Sequence, residues 1–146
     1  MNDDEERKEQ ERLKNEAEDE RKKMLQRFGG AVLVFWDHVG FDMNDSQLIC
    51  KTLPQTLTWT KPEHKEIHVV ELYWRTKDGN YFKLSYDEEN AMPFPVDISD
   101  AHRMLREDKR CQWFLTDIQR HELIKEDFDL AAVRGSRIPT RHNKDV

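Results

Sequence analysis

The sequence predicts an α+β fold, in which an antiparallel sheet packs against C-terminal helices and a long charged N-terminal helix precedes both. Three observations support this. Residues 1–28 are almost all charged or amide, 66–87 have the pattern of a β-hairpin, and 97–135 carry two helix-start signals. With 146 residues the chain is long enough for one domain with a core, and we do not expect two. We therefore divide it into a charged helical arm over 1–28, a single α+β domain over 29–135 and a basic flexible tail over 136–146.

The arm has the composition of a solvated helix. Residues 5–28 lack Pro and Gly and are rich in Glu, Lys, Arg and Gln, all of which favour helices. Opposite charges recur three or four positions apart, and each such pair stabilises a helix by about 0.2–0.5 kcal/mol. Four apolar residues share one stripe of this helix: Leu13, Ala17, Met24 and Phe28. Because Glu20 interrupts the heptad pattern, two alternatives remain open: the stripe docks on the protein's own domain, or it associates with a second copy in a coiled coil.

Three strands are predicted before the hairpin. Six consecutive apolar residues, 31–36, follow two glycines and predict a strand that is buried on both faces. A weaker strand pattern covers residues 46–51. Residues 55–60 alternate between larger side chains and threonines, with prolines on either side, which predicts a half-buried strand.

The strongest local pattern is a β-hairpin centred on Asp78-Gly79, a preferred two-residue turn. In the register that this turn sets, Arg75 opposes Phe82 and Tyr73 opposes Leu84. One face is then expected in the core, and it carries Ile67, Val69, Tyr73, Phe82, Leu84 and Tyr86. The other face is apolar at one end and polar at the other, and it carries Val70, Leu72, Trp74, Tyr81, Lys83 and Ser85. We expect helices to cover this second face; the alternative is an exposed binding platform.

A helix is predicted after the hairpin. Residues 91–96 contain two prolines and predict an extended connector. Asp97 is a good N-cap, so a helix is expected from Ile98 to about residue 109. Residues 111–115 are apolar and predict either a short strand or the start of the next helix.

A capping-box pattern opens the last helix. Thr116 and Gln119 have the spacing of such a box, and Gly135 is a typical helix end. The inner stripe of this helix is expected to be Ile118, Ile124, Phe128 and Ala131.

Composition limits the compartment and the classes of ligand. Charged residues make up 37% of the chain and the net charge is −6, which argues against general affinity for nucleic acid or anionic membranes. The N-terminus is acidic and no apolar run approaches about 18 residues, so we expect neither a secretory signal nor a membrane span. Cys50 and Cys111 are then expected to be reduced thiols. These features predict a cytoplasmic protein, with the nucleus as the alternative.

No residue set has the pattern of an active site, so we expect no enzyme, no bound metal and no cofactor. His64 and His68 have the spacing of a helical metal pair, but in a β-rich segment they would stand about 13 Å apart. Asp37 and His38 follow the predicted buried strand, where acid–base chemistry could take place. A small hydrolase built around these two residues is therefore the second alternative to a binding function.

The preferred hypothesis is a non-enzymatic accessory or adaptor protein that binds another protein or a second copy of itself. Its basis is the charged arm, the high surface charge and the lack of a catalytic pattern. The predicted partner-binding residues are the arm stripe and two aromatic residues of the amphipathic hairpin face: Leu13, Ala17, Met24, Phe28, Trp74 and Tyr81.

The first alternative is a nucleic-acid-associated protein. Aromatic and basic side chains on a sheet can stack and neutralise single strands, and Lys83 stands on the same predicted face as Trp74 and Tyr81. A second basic surface, suited to nucleic acid or an acidic partner, is one face of the first C-terminal helix, with Arg103, Arg106 and Arg110.

Overall fold

A computed structural model describes residues 3–39, 41–87, 91–107 and 110–133, with residues 28–39 and Trp59 described by their backbone alone. The predicted fold class is confirmed: an N-terminal helix, an antiparallel sheet and C-terminal helices make an α+β protein. No helix in the described part of the chain combines the length and hydropathy that crossing a bilayer requires.

The elements follow one another in a simple order. The helices are α1 (Asp3–Val39), α2 (Ile98–Arg106) and α3 (Asp117–Val133), and a short 3₁₀ turn, Met43–Asp45, follows α1. The strands are β1 (Ser46–Thr52), β2 (Gln55–Trp59), β3 (Lys65–Thr76), β4 (Tyr81–Tyr86), β5 (Ala91–Val96) and β6 (Cys111–Trp113).

The sheet has the strand order β5-β4-β3-β1-β6, and every described pairing is antiparallel. Helix α1 covers one face, where Ala17 and Met24 pack with Leu72, Trp74 and Leu84. Helices α2 and α3 cover the other face, in a second cluster that contains Ile49, Tyr81, Ala101, Leu105 and Leu123. The core is therefore two apolar layers with the sheet between them.

Helix α1 runs across the boundary predicted at Gly29, and the strand predicted over 31–36 was wrong because these residues are helical. A short apolar run fits a buried strand and a buried helix equally well, since it has no periodicity that separates them. Each glycine costs a helix only about 1 kcal/mol relative to alanine, so two of them need not end a long one.

The described residues of the arm stripe are buried within the protein, and Ala17 and Met24 pack against the sheet. Leu13 and Met24 are 7% and 2% exposed, and Ala17 is also buried. Glu20, which interrupts the heptad pattern, is buried beside them, and Lys51 Nζ on β1 lies 3.3 Å from its carboxylate oxygens. The stripe is thus matched to this sheet, with a basic partner placed opposite its one acidic residue.

The hairpin exists, but its predicted register was wrong by one residue. Thr76 and Asn80 close a three-residue loop, in which Gly79 adopts a φ of 85°. A type I turn followed by a left-handed residue is the usual geometry of such loops, and Asp-Gly serves it as well as a two-residue turn. Arg75 consequently opposes Tyr81, and Trp74 opposes Phe82.

This one-residue shift reassigns both faces of the hairpin. Trp74 packs under α1, whereas Tyr81 packs under α2 and α3, so the two aromatic residues lie on opposite sides of the sheet. Both are buried, at 0% and 2% exposed. The expectation that helices cover this part of the hairpin holds for Tyr81 and Trp74 alike, but different helices cover them.

The C-terminal caps form as predicted. Asp97 accepts a hydrogen bond from the Ser99 backbone N–H, 3.1 Å away, at the start of α2. Thr116 and Gln119 make the reciprocal pair of a capping box, at 3.2 and 3.0 Å. Helix α2 ends at Arg106, three residues before the predicted end.

Two further predictions in this half of the chain need correction. The segment 91–96 is strand β5, which pairs with β4, and not a connector. On α3 only Ala131 of the predicted inner stripe is fully buried; Ile118 and Phe128 are exposed, and Leu123 and Asp127 take the inner positions. The helix is rotated relative to the prediction because a buried acidic residue, Asp127, faces the sheet.

Candidate functional site

Four polar side chains from four elements meet under α2 and α3, and we call them the Asp127 cluster. Arg75 and Tyr81 face each other on β3 and β4, His102 comes from α2 and Asp127 from α3. Asp127 Oδ1 accepts hydrogen bonds from Arg75 Nε at 3.1 Å and Nη2 at 2.7 Å. Asp127 Oδ2 accepts one from the Tyr81 hydroxyl at 2.6 Å, and His102 Nε2 lies 2.7 Å from the same oxygen. All four residues are buried.

Two members of the Asp127 cluster, Tyr81 and Arg75, have shifted pKa values. Burial, followed by the hydrogen bond to Asp127, holds the pKa of the Tyr81 hydroxyl well above its ordinary value. Burial alone would lower the pKa of Arg75, but the hydrogen bond and the charge of Asp127 outweigh it and raise that pKa. Near neutral pH the tyrosine is therefore a hydrogen-bond donor and the arginine a cation. This arrangement suits an anchor that ties both helices to the sheet.

All three tyrosines of the chain are expected to ionise above pH 10. Burial and the charge of Glu71 raise the pKa of Tyr73 to about 12, and burial also raises the pKa values of Tyr81 and Tyr86. In the unfolded chain tyrosine ionises near pH 10. The folded state therefore holds these protons longer, so their contribution to stability is complete below pH 10 and is lost as the pH rises above it.

The ionisation of the tyrosines is measured by absorbance at 295 nm between pH 8 and 12, and unfolding is followed in the same samples by circular dichroism. Tyrosinate is expected to appear only above pH 10, together with unfolding. A tyrosine that titrates near pH 10 in the folded protein would contradict the prediction.

A groove with basic residues on its wall lies between α2 and the end of β1, with a volume of about 460 Å³. Of the predicted basic residues, Arg103 and Arg110 line this groove, together with Tyr73, Met104 and Cys111. We call it the basic groove. Two carboxylates, Glu71 and Asp100, also line it, so the groove is not strongly cationic.

The predicted basic side chains have acidic partners where contacts are described. Arg103 Nη2 lies 2.7 Å from Asp100, and Lys83 Nζ lies 3.2 Å from Glu71 and also over the ring of Phe94. Arg106 is exposed on α2 and is not among the residues that line the basic groove. Of the four predicted basic residues, the structure therefore places two, Arg103 and Arg110, on the wall of one groove.

The third feature is a two-stranded ribbon that extends past the rest of the sheet. It consists of β2 and residues 65–69 of β3, which pair with each other, whereas β4 begins to pair with β3 only at Val70. The prediction of a half-buried strand was wrong for β2, whose described side chains are all exposed. We call this element the ribbon.

The ribbon is amphipathic, and its apolar side is open. Cross-strand partners share a side, which places Leu57 beside Ile67, with Val69 two residues further along β3. Thr56, Thr58, Glu66 and His68 occupy the opposite side, where Thr56 Oγ1 lies 3.1 Å from His68 Nδ1. Leu57 is 43% exposed, although alternation of this kind usually marks a strand with one buried side.

The apolar side of the ribbon continues onto the main sheet. Because side chains alternate along β3, Glu71 lies on the same side as Val69. Glu71 pairs with Ser85 on β4, and Ser85 pairs with Met92 on β5, so all of these residues share that side. Phe94 follows on the same side of β5, at 45% exposed, and Met92 is exposed as well. We call this combined surface the ribbon face: Leu57, Ile67, Val69, Met92 and Phe94. It has apolar and aromatic side chains around one ion pair, Lys83 with Glu71.

The other sequence-predicted sites are placed as follows. Asp37 and His38 lie within α1 and not in a loop after a strand, and their side chains, like that of Phe28, are outside the described ones. His64 Nε2 lies 3.6 Å from Glu66, while His68 contacts Thr56. Among the described residues, no group of three His, Cys, Asp or Glu side chains could hold a metal ion. The basic tail over 136–146 lies outside the described residues.

Comparison with protein-family models, with curated proteins and with solved structures gave no match to this chain.

Proposed function

We propose that this protein is a non-enzymatic accessory protein that binds another protein through its ribbon face. The observation that supports this is the open apolar side of the ribbon, centred on Leu57. A two-stranded ribbon is marginally stable in water when nothing packs against it. Exposed apolar patches beside polar side chains are typical of protein–protein contact surfaces.

The arm stripe is a weaker candidate for the contact surface than the sequence suggested. Leu13, Ala17 and Met24 are buried within the protein, the last two against its own sheet, so a partner could reach them only if α1 moved away. Trp74 and Tyr81 are likewise inside the two core layers. We therefore still propose a protein as the partner, but we propose the ribbon face as the contact surface in place of the arm stripe.

A nucleic-acid ligand is less well supported than a protein ligand. Base stacking needs exposed aromatic rings, and Trp74 and Tyr81 are buried. Lys83 and Arg103 are held by carboxylates, and the net charge of −6 opposes phosphate binding. We also propose a cytoplasmic location, which fits an acidic protein whose two cysteines are free thiols.

The test compares two glutamate substitutions on the same strand. Leu57→Glu puts a charge on the ribbon face, whereas Thr58→Glu puts the same charge on the opposite side of the ribbon. Both positions are exposed, so neither variant should unfold. We expect Leu57→Glu to weaken partner binding about tenfold or more, which corresponds to about 1.4 kcal/mol, and Thr58→Glu to leave it unchanged.

The measurement is quantitative mass spectrometry of proteins cross-linked to each variant in the cells that produce the protein. A partner recovered with the original chain and with Thr58→Glu, but lost with Leu57→Glu, supports the proposal. Equal recovery with all three chains contradicts it. Light-scattering mass of the purified chains shows whether the partner is a second copy, because Leu57→Glu would then convert a dimer to a monomer.

A further inference from the structure

The two cysteines, 61 positions apart in the chain, occupy neighbouring strands at one edge of the sheet. Cys50 on β1 pairs with Trp113, and Thr52 pairs with Cys111 on β6, so the cysteines are diagonal neighbours. A bulge in β1 between Leu48 and Cys50 sets their common side. Leu48 points to the α1 layer, and the extra residue in the bulge turns Cys50 to the α2 and α3 layer, where Cys111 also packs.

The two thiols contact each other but differ in access to solvent. They share a hydrogen bond, and this bond together with burial raises the pKa of Cys50 well above its ordinary value. Cys50 is 0% exposed, whereas Cys111 is half-buried and lines the basic groove. A small reagent in the groove can therefore reach Cys111 first, and Cys50 lies behind it.

We propose that Cys50 and Cys111 form a reversible disulfide when a hydroperoxide enters the basic groove, with Cys111 as the reacting thiol and Cys50 as the resolving thiol. In the first step the Cys111 thiolate attacks a peroxide oxygen, an S–O bond forms, the O–O bond breaks and hydroxide or alkoxide leaves. In the second step Cys50 attacks the Cys111 sulfur, an S–S bond forms, the S–O bond breaks and water leaves with the Cys50 proton. The protein loses two electrons and two protons, and a small dithiol restores both.

Closing the disulfide requires a small movement of β6. Diagonal neighbours in an antiparallel pair have Cα atoms about 7–8 Å apart. A disulfide needs less than about 7 Å. Strand β6 has three residues and lies at the sheet edge, where it pairs with β1 alone among the described strands. It can therefore approach β1 without disturbing the centre of the sheet.

The test counts free thiols and maps the bond in the full chain. Before treatment we expect two free thiols, after hydrogen peroxide none, and after dithiothreitol two again. Peptide mapping without reduction should show Cys50 joined to Cys111, with the intact mass lowered by two hydrogen atoms. With Cys50→Ala, the sulfenic acid on Cys111 should persist and react with dimedone. With Cys111→Ala, Cys50 should stay unmodified in the folded protein.

Other results would overturn the proposal. They are two free thiols after treatment that fully oxidises glutathione, a sulfinic acid on Cys111 without a cross-link, or disulfides only between chains. Circular dichroism of each variant confirms that it is folded, and the original chain alone decides the proposal if a variant is not. The test does not depend on the ribbon face, because neither cysteine belongs to it.

Discussion

A chain that begins at Gly29 is expected not to fold. Leu13, Ala17 and Met24 of α1 are buried, and the two larger side chains each contribute about 1.5–3 kcal/mol of hydrophobic stabilisation. Their removal also exposes the sheet face that carries Trp74 and Leu72, both 0% exposed in the full chain. These losses together match the whole stability of a typical domain, which is about 5–15 kcal/mol.

Urea unfolding followed by circular dichroism measures this effect. The full chain should unfold cooperatively, and the chain that begins at Gly29 should show no cooperative transition. A chain that begins at Glu9 is the control: it loses the contact of Glu6 with Thr116 but keeps the buried residues Leu13, Ala17 and Met24, so it should still unfold cooperatively. A cooperative transition of unchanged free energy after removal of residues 1–28 would show that α1 is a free arm.

The substitution Asp127→Ala is expected to destabilise the protein by about 3–5 kcal/mol, the usual cost of leaving a buried charge without its partner. Arg75 loses its two hydrogen bonds to Oδ1, and the Tyr81 hydroxyl loses its acceptor. Arg75 also lies 3.7 Å from the carboxylate of Glu126, which is largely exposed and replaces little of the lost interaction.

The matched control for this substitution is Asp129→Ala, two residues further along α3 at an exposed position. It should change the free energy of unfolding by about 0.5 kcal/mol or less. Asp127→Asn keeps the shape but not the charge and should fall between the two. If Asp127→Ala and Asp129→Ala have equal effects in urea, the Asp127 cluster does not anchor the helices.

Features that depend on adjacent residues could be predicted from the sequence. The N-cap at Asp97 and the capping box at Thr116 and Gln119 are local hydrogen-bond patterns, and both form. The alternation in 55–60 also identified a strand correctly, and the fold class followed from the order of such segments.

Features that depend on packing could not be predicted in the same way. The apolar residues 31–36 have no periodicity, so the sequence could not show that they are helical. The Asp78-Gly79 pair fits two loop lengths, and the choice between them decides which face every hairpin residue occupies. The rotation of α3 depends on Asp127, whose partners lie 25, 46 and 52 positions away in the chain.

The candidate binding surface also combines features that the sequence pattern showed with features that only the packing showed. The stripe on α1 was visible in the sequence, but its partner, including Lys51 opposite Glu20, was not. Leu57 was recognised as part of an alternating strand, which normally means one buried side. Its exposure is visible only in the structure, where the ribbon extends past the rest of the sheet and its apolar side is open.

The most direct test of where these surfaces lie is the free energy of unfolding in urea for Met24→Glu and Leu57→Glu. Met24 is 2% exposed and Leu57 is 43% exposed, so we assign the first to the core and propose the second for the partner-binding surface. We predict that Met24→Glu loses about 3 kcal/mol or more, because it buries a charge, and that Leu57→Glu stays within about 0.5 kcal/mol of the original chain. A stable Met24→Glu variant, or a loss at Leu57 as large as that at Met24, would contradict this assignment.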